Sequence, residues 1–152
     1  MPGRVAQSLG KILVHIVFST KDRRPSIRPE DRDALHGYLS GAAREIGCDS
    51  IQIGGTADHV HAPVSLSRVC SVAHVVQEMK IGSSKWMKAR GVEAFSWQAG
   101  YGAFSIGASQ VEALKRYIQR QEEHHRAATF QDELRRVLRR YGVPFDERFV
   151  WR

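Results

Sequence analysis

Short apolar runs alternate with amphipathic stretches along the chain, and each predicts an element. Residues 11–20 read KILVHIVFST. The run is rich in Ile, Val and Phe and apolar at nearly every position, the pattern of a strand buried on both faces. His15 interrupts that run and reads as a hydrogen-bonded core histidine with no assigned role. A polar, basic loop covers 21–28. Pro29, Glu30 and Asp31 then open a helix, because proline suits the first turn and acids suit the positive end of the helix dipole. Leu35, Leu39, Ala42, Ala43 and Ile46 recur at helical spacing, and Gly47 supplies a stop.

Two strands follow, over 50–56 and 59–66. The turn chemistry from Gly54-Gly55 to Asp58 joins them as a hairpin. Ser71 can cap a second helix, whose apolar stripe is Val72, Val75, Val76, Met79 and Trp86. A Gly-aromatic segment covers 95–106, and its last part reads as a fourth strand. Ser109-Gln110-Val111-Glu112 has the form of a capping box before a helix that buries Val111, Leu114 and Ile118. Thr129-Phe130-Gln131-Asp132 opens a fourth helix with the same type of cap. The order β-α-β-β-α-β-α-α predicts an α+β fold. It is ferredoxin-like (split βαβ), an antiparallel sheet with helices on one face plus C-terminal helices.

Composition narrows the class. The chain has 152 residues, 42% hydrophobic and 26% charged, which suits one soluble domain over 1–152 and excludes a disordered or fibrous chain. There are 23 Lys+Arg against 16 Asp+Glu, a net +7, which favours a polyanionic partner. Residues 1–28 hold six of the cations (Arg4, Lys11, Lys21, Arg23, Arg24, Arg28) against Asp22 alone. Two cysteines make no disulfide framework, and neither a membrane span nor a secretion leader is visible. The expected compartment is the cytoplasm.

His59-Val60-His61 is the first candidate for chemistry. Side chains alternate along a strand, so both imidazoles point to one face and can chelate one divalent ion. A His-x-His pair alone is a weak signal. Asp58 beside it reads as a turn residue. Tyr117 and Gln121, four apart, would share one face of the third helix. An amide oxygen is a hard ligand that suits Mg²⁺ or Mn²⁺ where imidazoles share the site. Tyr117 is then either a packing residue or a nucleophile beside the ion. His124 and His125 read as a solvated helix end. Lys21, Arg23, Arg24 and Arg28 in the first loop, with Lys80, Lys85 and Lys88 on the second helix, are placed as phosphate contacts. Tyr101 is a candidate for stacking on an unpaired base, whereas Trp97 and Phe104 are assigned to the core.

These blocks together resemble the single-tyrosine HUH transposases of the insertion-sequence 200/605 class, which include the REP-associated tyrosine transposases. The resemblance runs through residues 13–20, 54–61, 80–86 and 97–105. It continues with Tyr117-Ile118, residues 121–125, Thr129-Phe130-Gln131 and Asp146-Glu147-Arg148. It implies that His59, His61 and Gln121 hold Mg²⁺ or Mn²⁺. It implies that Tyr117 attacks a phosphate of single-stranded DNA, giving a 5′-phosphotyrosine and a free 3′-hydroxyl, with no nucleotide cofactor. It further implies hairpin recognition and a homodimer, in some members with the tyrosine helix facing the partner's histidines. The chain departs from the family at Ala62-Pro63, where bulky aliphatics are usual. Proline cannot donate to a ladder, so Pro63 predicts a bulge or an early end of pairing. The competing readings are a hairpin-binding module without catalysis and a small metal-dependent hydrolase that would survive Tyr117→Phe.

Overall fold

The computed structural model describes residues 6–125, 128–148 and 150–151; Arg4 of the basic amino end lies outside them. Its strands are β1 Ile12–Ser19, β2 Asp49–Ser50, β3 Gly54–Gly55, β4 His59–Leu66 and β5 Gly102–Ile106. Its helices are α1 Pro29–Glu45, α2 Val72–Ala89, α3 Val111–Gln119, α4 Gln121–His124 and α5 Phe130–Arg140. All pairings are antiparallel, in the order β2-β4-β1-β5, with β3 also on β4. None of the described helices is long and apolar enough to cross a membrane.

Residues opposite one another in antiparallel strands share a face, so the register sorts the sheet into two surfaces. Val14, Ile16 and Phe18 lie opposite Val64, Ala62 and Val60. They form one core with Leu35, Leu39 and Ala43 of α1 and Val75, Val76, Met79 and Met87 of α2. Each fully buried aliphatic or aromatic side chain there is worth about 1.5–3 kcal/mol against exposure. The other surface carries His15, Val17, Ser19, His59, His61 and Phe104. Phe130 and Leu138 of α5 close over Val17 and Phe104 to make a second, smaller core. The C-terminal helices therefore cover the face that α1 and α2 leave open, and the histidines lie between layers.

Several predicted signals form as read. Ser71 Oγ accepts from the His74 N–H, and Thr129 Oγ1 accepts from the Asp132 N–H. Gly47 ends α1 at φ 81°, where a side chain would be strained. Others do not. The cap is set two residues earlier, where Gln110 Oε1 accepts from the Gly107 N–H at 3.0 Å at the start of the short 3₁₀ turn that leads into α3. The predicted strand over 50–56 is split into β2 and β3.

Pro63 accounts for that split. β4 pairs with β1 without interruption from His59 to Leu66, so the expected bulge is absent there. On its other side β4 pairs at residues 60–61 and again at 64–65. Between these the Pro63 carbonyl accepts from the Ile51 N–H at 2.8 Å. In an antiparallel ladder a residue's N–H and C=O face the same neighbour. The missing donor of Pro63 thus faces the gap in the edge strand, and the interruption falls on the neighbour rather than on β4.

Candidate active site

His59 and His61 stand near the start of β4, opposite Ser19 and Val17, both buried. The turn before them holds His59 in place. Asp58 Oδ1 lies 2.8 Å from His59 Nδ1, and Thr56 Oγ1 donates to the same carboxylate oxygen at 3.1 Å. Burial acts to raise the Asp58 pKa, but the His59 contact outweighs it and the pKa is lowered. The ionised carboxylate takes the Nδ1–H and leaves the Nε2 lone pair free, the usual device for orienting a ligating imidazole. Asp58 is therefore a turn residue and a partner of His59 at once. Gly54 and Gly55 are required by close approach: a Cβ on Gly54 would meet Ile118 of α3, and one on Gly55 would meet the backbone of His59 and Val60.

Tyr117 and Gln121 do not share one helix, as their spacing predicted. The backbone turns out of helical geometry at Arg120 (φ −101°, ψ 17°), so Tyr117 lies in the last turn of α3 and Gln121 begins α4. Both still reach the histidines. Gln121 is buried, with Oε1 2.9 Å from His59 Nε2. The Tyr117 ring stands edge-on to His61 at 5.7 Å between centroids.

Glu133, on α5, joins the cluster and was not found in the sequence. Its Oε1 lies 2.7 Å from His61 Nε2, and its Oε2 lies 2.7 Å from His125 Nε2 and 3.3 Å from His124 Nε2. His124 and His125 thus face the site rather than solvent, and the His125 ring lies 4.5 Å from that of His59. Burial acts to raise the Glu133 pKa, but the contacts with His125 and His61 hold it well below the carboxylate range. Burial and then the Glu133 carboxylate push the Tyr117 phenol above its ordinary value, against smaller opposing effects of Gln121 and Arg136. A signal for Glu133 does exist. It follows Phe130 by three residues and precedes Val137 by four, so it is an acid on the apolar face of an amphipathic helix. A buried acid needs a partner.

His15 completes the arrangement from β1. Its Nε2 lies 2.8 Å from His61 Nδ1, and the two rings stack at 5.0 Å. Burial, with His61 beside it, pulls its pKa down to about 3, so the ring is neutral and can accept the His61 Nδ1–H.

The donor set fits a divalent cation. Ligand atoms of His59, His61 and Glu133 all lie within 4.8 Å of one another. His61 Nε2 and Glu133 Oε1 are buried and face each other without hydrogen-bond alignment. Two bonds of about 2.1 Å at right angles place their donor atoms about 3 Å apart, the separation seen here and between His59 and Gln121. Mixed imidazole and oxygen donors suit a borderline-hard ion such as Mn²⁺.

The basic candidates divide in two. Lys21, Arg24 and Lys85 are exposed. Lys21 and Arg24 line a cavity of about 270 Å³ with Ser26 and Ser96. Their loop is held close to Asp58 by Thr20, whose N–H donates to the Asp58 carbonyl. Arg23 is partly buried in the left-handed region (φ 52°), and its guanidinium lies against the Gln131 side-chain amide, whose oxygen accepts from it at 2.7 and 3.0 Å once the amide is turned over, tying the loop to α5. Arg28 is engaged inside the fold, bonded to Asp31 at 2.6 Å and to the Arg90 carbonyl at 3.0 Å. Lys80 also turns inward. Its ammonium donates to the carbonyls of Gln98 and Gly100 at 2.7 and 2.8 Å and lies over the Phe18 and Tyr101 rings. Tyr101 is exposed, while Trp97 and Phe104 are in the core.

Comparison with known proteins points one way. The family described as "Transposase IS200 like" matches residues 8–121. Among curated proteins no sequence match was found. A protein of Deinococcus radiodurans R1 assigned as a transposase superimposes with a TM-score of 0.63 at 18% identity, covering 78% of this chain and 97% of that one. A REP-associated tyrosine transposase bound to a REP hairpin superimposes with a TM-score of 0.60 at 14% identity, covering 82% of this chain and 74% of that one. At these identities the superpositions speak for the fold.

Proposed function

The chain belongs to the IS200-like transposase family, and from that premise we propose that it cuts and rejoins single-stranded DNA at hairpin-bearing ends with Tyr117 as nucleophile. The observation that carries this reading is the convergence of Tyr117, His59, His61, Gln121 and Glu133 on one point within one chain. His59, His61 and Gln121 would hold Mg²⁺ or Mn²⁺, with Glu133 as an added donor. The ion, when bound, neutralises charge developing on the phosphoryl oxygens.

The remaining work falls to the chain. The Tyr117 oxygen forms a bond to phosphorus, the bond to the 3′-oxygen breaks, and the phenolic proton leaves as the 3′-oxygen gains one. The phosphotyrosine conserves the broken bond, so rejoining needs no nucleotide cofactor. Asp58 and His15 orient the two imidazoles. Lys21, Arg24 and Lys85 hold backbone phosphates without reading sequence, and Tyr101 is placed to stack on an unpaired base. Hairpin recognition is carried over from the REP-associated relative, whose structure holds a hairpin. Tyr117 lies beside the histidines of its own chain, which supports a site built within one protomer of the homodimer inferred by family resemblance. The working place is the nucleoid, in the cytoplasm.

The alternative reading is a hairpin-binding protein without catalysis. A covalent-adduct assay separates the two. Protein and its Tyr117→Phe variant are incubated with labelled single-stranded hairpin DNA from the flanks of the gene, with Mg²⁺ or Mn²⁺. The transposase reading requires an SDS-resistant band that needs metal and Tyr117. Tight binding with no band under either metal leaves the binding protein.

A further inference from the structure

A cavity of about 380 Å³ opens beside Tyr117, between α3 and α5, with His15 at its floor. Its walls are Ala113 and Leu114 of α3, Val137 of α5, and Ile106 at the end of β5. Its other boundary carries Arg136, Arg140 and Tyr141. Among the described residues, no ion pair is formed by either arginine. The volume lies at the small end of the roughly 300–1,000 Å³ typical of ligand pockets.

We propose that this cavity is a base subsite: it takes one unpaired nucleotide next to the phosphate that Tyr117 attacks, with Arg136 and Arg140 on the adjoining phosphates. The proposal rests on the transposase reading above and adds to it where the strand lies. Three observations support this occupant. The Tyr117 side chain forms part of the wall, so a ligand in the cavity is contiguous with a phosphate at the phenol. The walls are mostly apolar with an aromatic ring, which suits the face of a base rather than a sugar or a free phosphate. The two arginines lie four apart on α5 and are both exposed, so they present one cationic row at the mouth. The pocket suits an unpaired base, whose face is free to lie against its walls. It also places the strand over the C-terminal helices, on the sheet face opposite α2.

The test measures binding of Tyr117→Phe protein to the flanking single strand, intact or with an abasic site at one position in turn. One position beside the cleaved phosphate is expected to cost about tenfold in affinity when abasic, the loss of one stacked base. Ala113→Trp, an exposed position at the wall, fills the cavity. In that background the intact strand should bind about tenfold more weakly and the abasic site should cost nothing more. Leu114→Phe serves as a second filling variant should the first misfold. The proposal is overturned if no abasic position matters, or if the same position costs as much in the filled protein. Wild-type adduct formation is run in parallel. An adduct without the abasic effect sinks the subsite and leaves the transposase reading standing. The coupled abasic effect without an adduct does the reverse.

Discussion

Glu133 Oε1 lies 2.7 Å from His61 Nε2, although 72 residues separate them in the chain (133 − 61) and they come from different layers of the fold. The carboxylate ties α5 to the sheet, meets two further histidines, and charges the surroundings of the Tyr117 phenol. Glu133→Gln keeps its shape and removes the charge. Mn²⁺ affinity, read by calorimetry, should fall at least tenfold. The Tyr117 phenol should ionise at lower pH, since the charge that holds its proton is gone; absorbance at about 295 nm during alkaline titration reports it. An unchanged phenol titration would remove Glu133 from the site.

His15→Phe removes the acceptor of the His61 Nδ1–H and keeps a ring in the core. Metal affinity should drop by about 10–100-fold with little loss of thermal stability. His15→Gln restores an acceptor and should recover part of the affinity. Equal affinity in all three proteins would make His15 a packing residue.

Asp31 is buried and accepts from Arg28 at 2.6 Å and Arg90 at 2.9 Å, joining the start of α1 to the end of α2. The Arg28 hydrogen bond holds its pKa below the ordinary carboxylate value, against the effect of burial. Its stabilising contribution is therefore complete above the ordinary carboxylate pKa, about 3.9, and is lost as pH falls through the depressed one. Asp31→Asn should cost about 2 kcal/mol at neutral pH, the loss of charge-assisted bonds. It should also flatten the acid limb of stability measured by urea titration. A variant with the same acid limb would assign that limb to other carboxylates.

Lys85→Ala and Lys80→Met should behave differently on DNA. Lys85 is exposed, and its removal should reduce the slope of log K against log salt by about one. The Lys80 ammonium is bound to carbonyls, and burial lowers its pKa to about 8. Its removal should leave the slope unchanged and lower the melting temperature. A slope change for Lys80→Met would show that its cation reaches phosphate.

Gly54→Ala places a methyl group against the side chain and carbonyl of Ile118, the neighbour of Tyr117. Overpacking of this kind costs about 1–3 kcal/mol. Adduct formation should fall more than Mn²⁺ affinity, because α3 carries Tyr117 while His59 and His61 stay on β4. Unaltered adduct yield would mean that α3 is seated by other contacts.

Much of the site was legible because it is local. The period of two in β4 put His59 and His61 on one face, and Gly54-Gly55 marked the hairpin that carries them. Ser71 and Thr129 announced their helices by cap chemistry. What was hidden depends on distant contact. His15 looked like any polar interruption of a core strand until the register placed it beside His61. Glu133 sits in a helix crowded with charge, where an acid ordinarily faces water. The break at Arg120 carries no proline or glycine, and nothing in the local sequence gives it away. The C-terminal helices had a predicted existence but no predicted side of the sheet, and that choice made His124 and His125 neighbours of Glu133 and His59.

Pro63 has a consequence for association as well as for register. An open row of backbone donors and acceptors is a template for another chain. Beyond β4 that row is broken into two-residue strands around a residue that cannot donate. At the opposite edge β5 is five residues long, and the Tyr141 hydroxyl already occupies the Ser105 carbonyl at 2.7 Å. Among the described residues neither margin offers a long run for a foreign strand to zip onto, so the sheet is guarded against edge-to-edge aggregation.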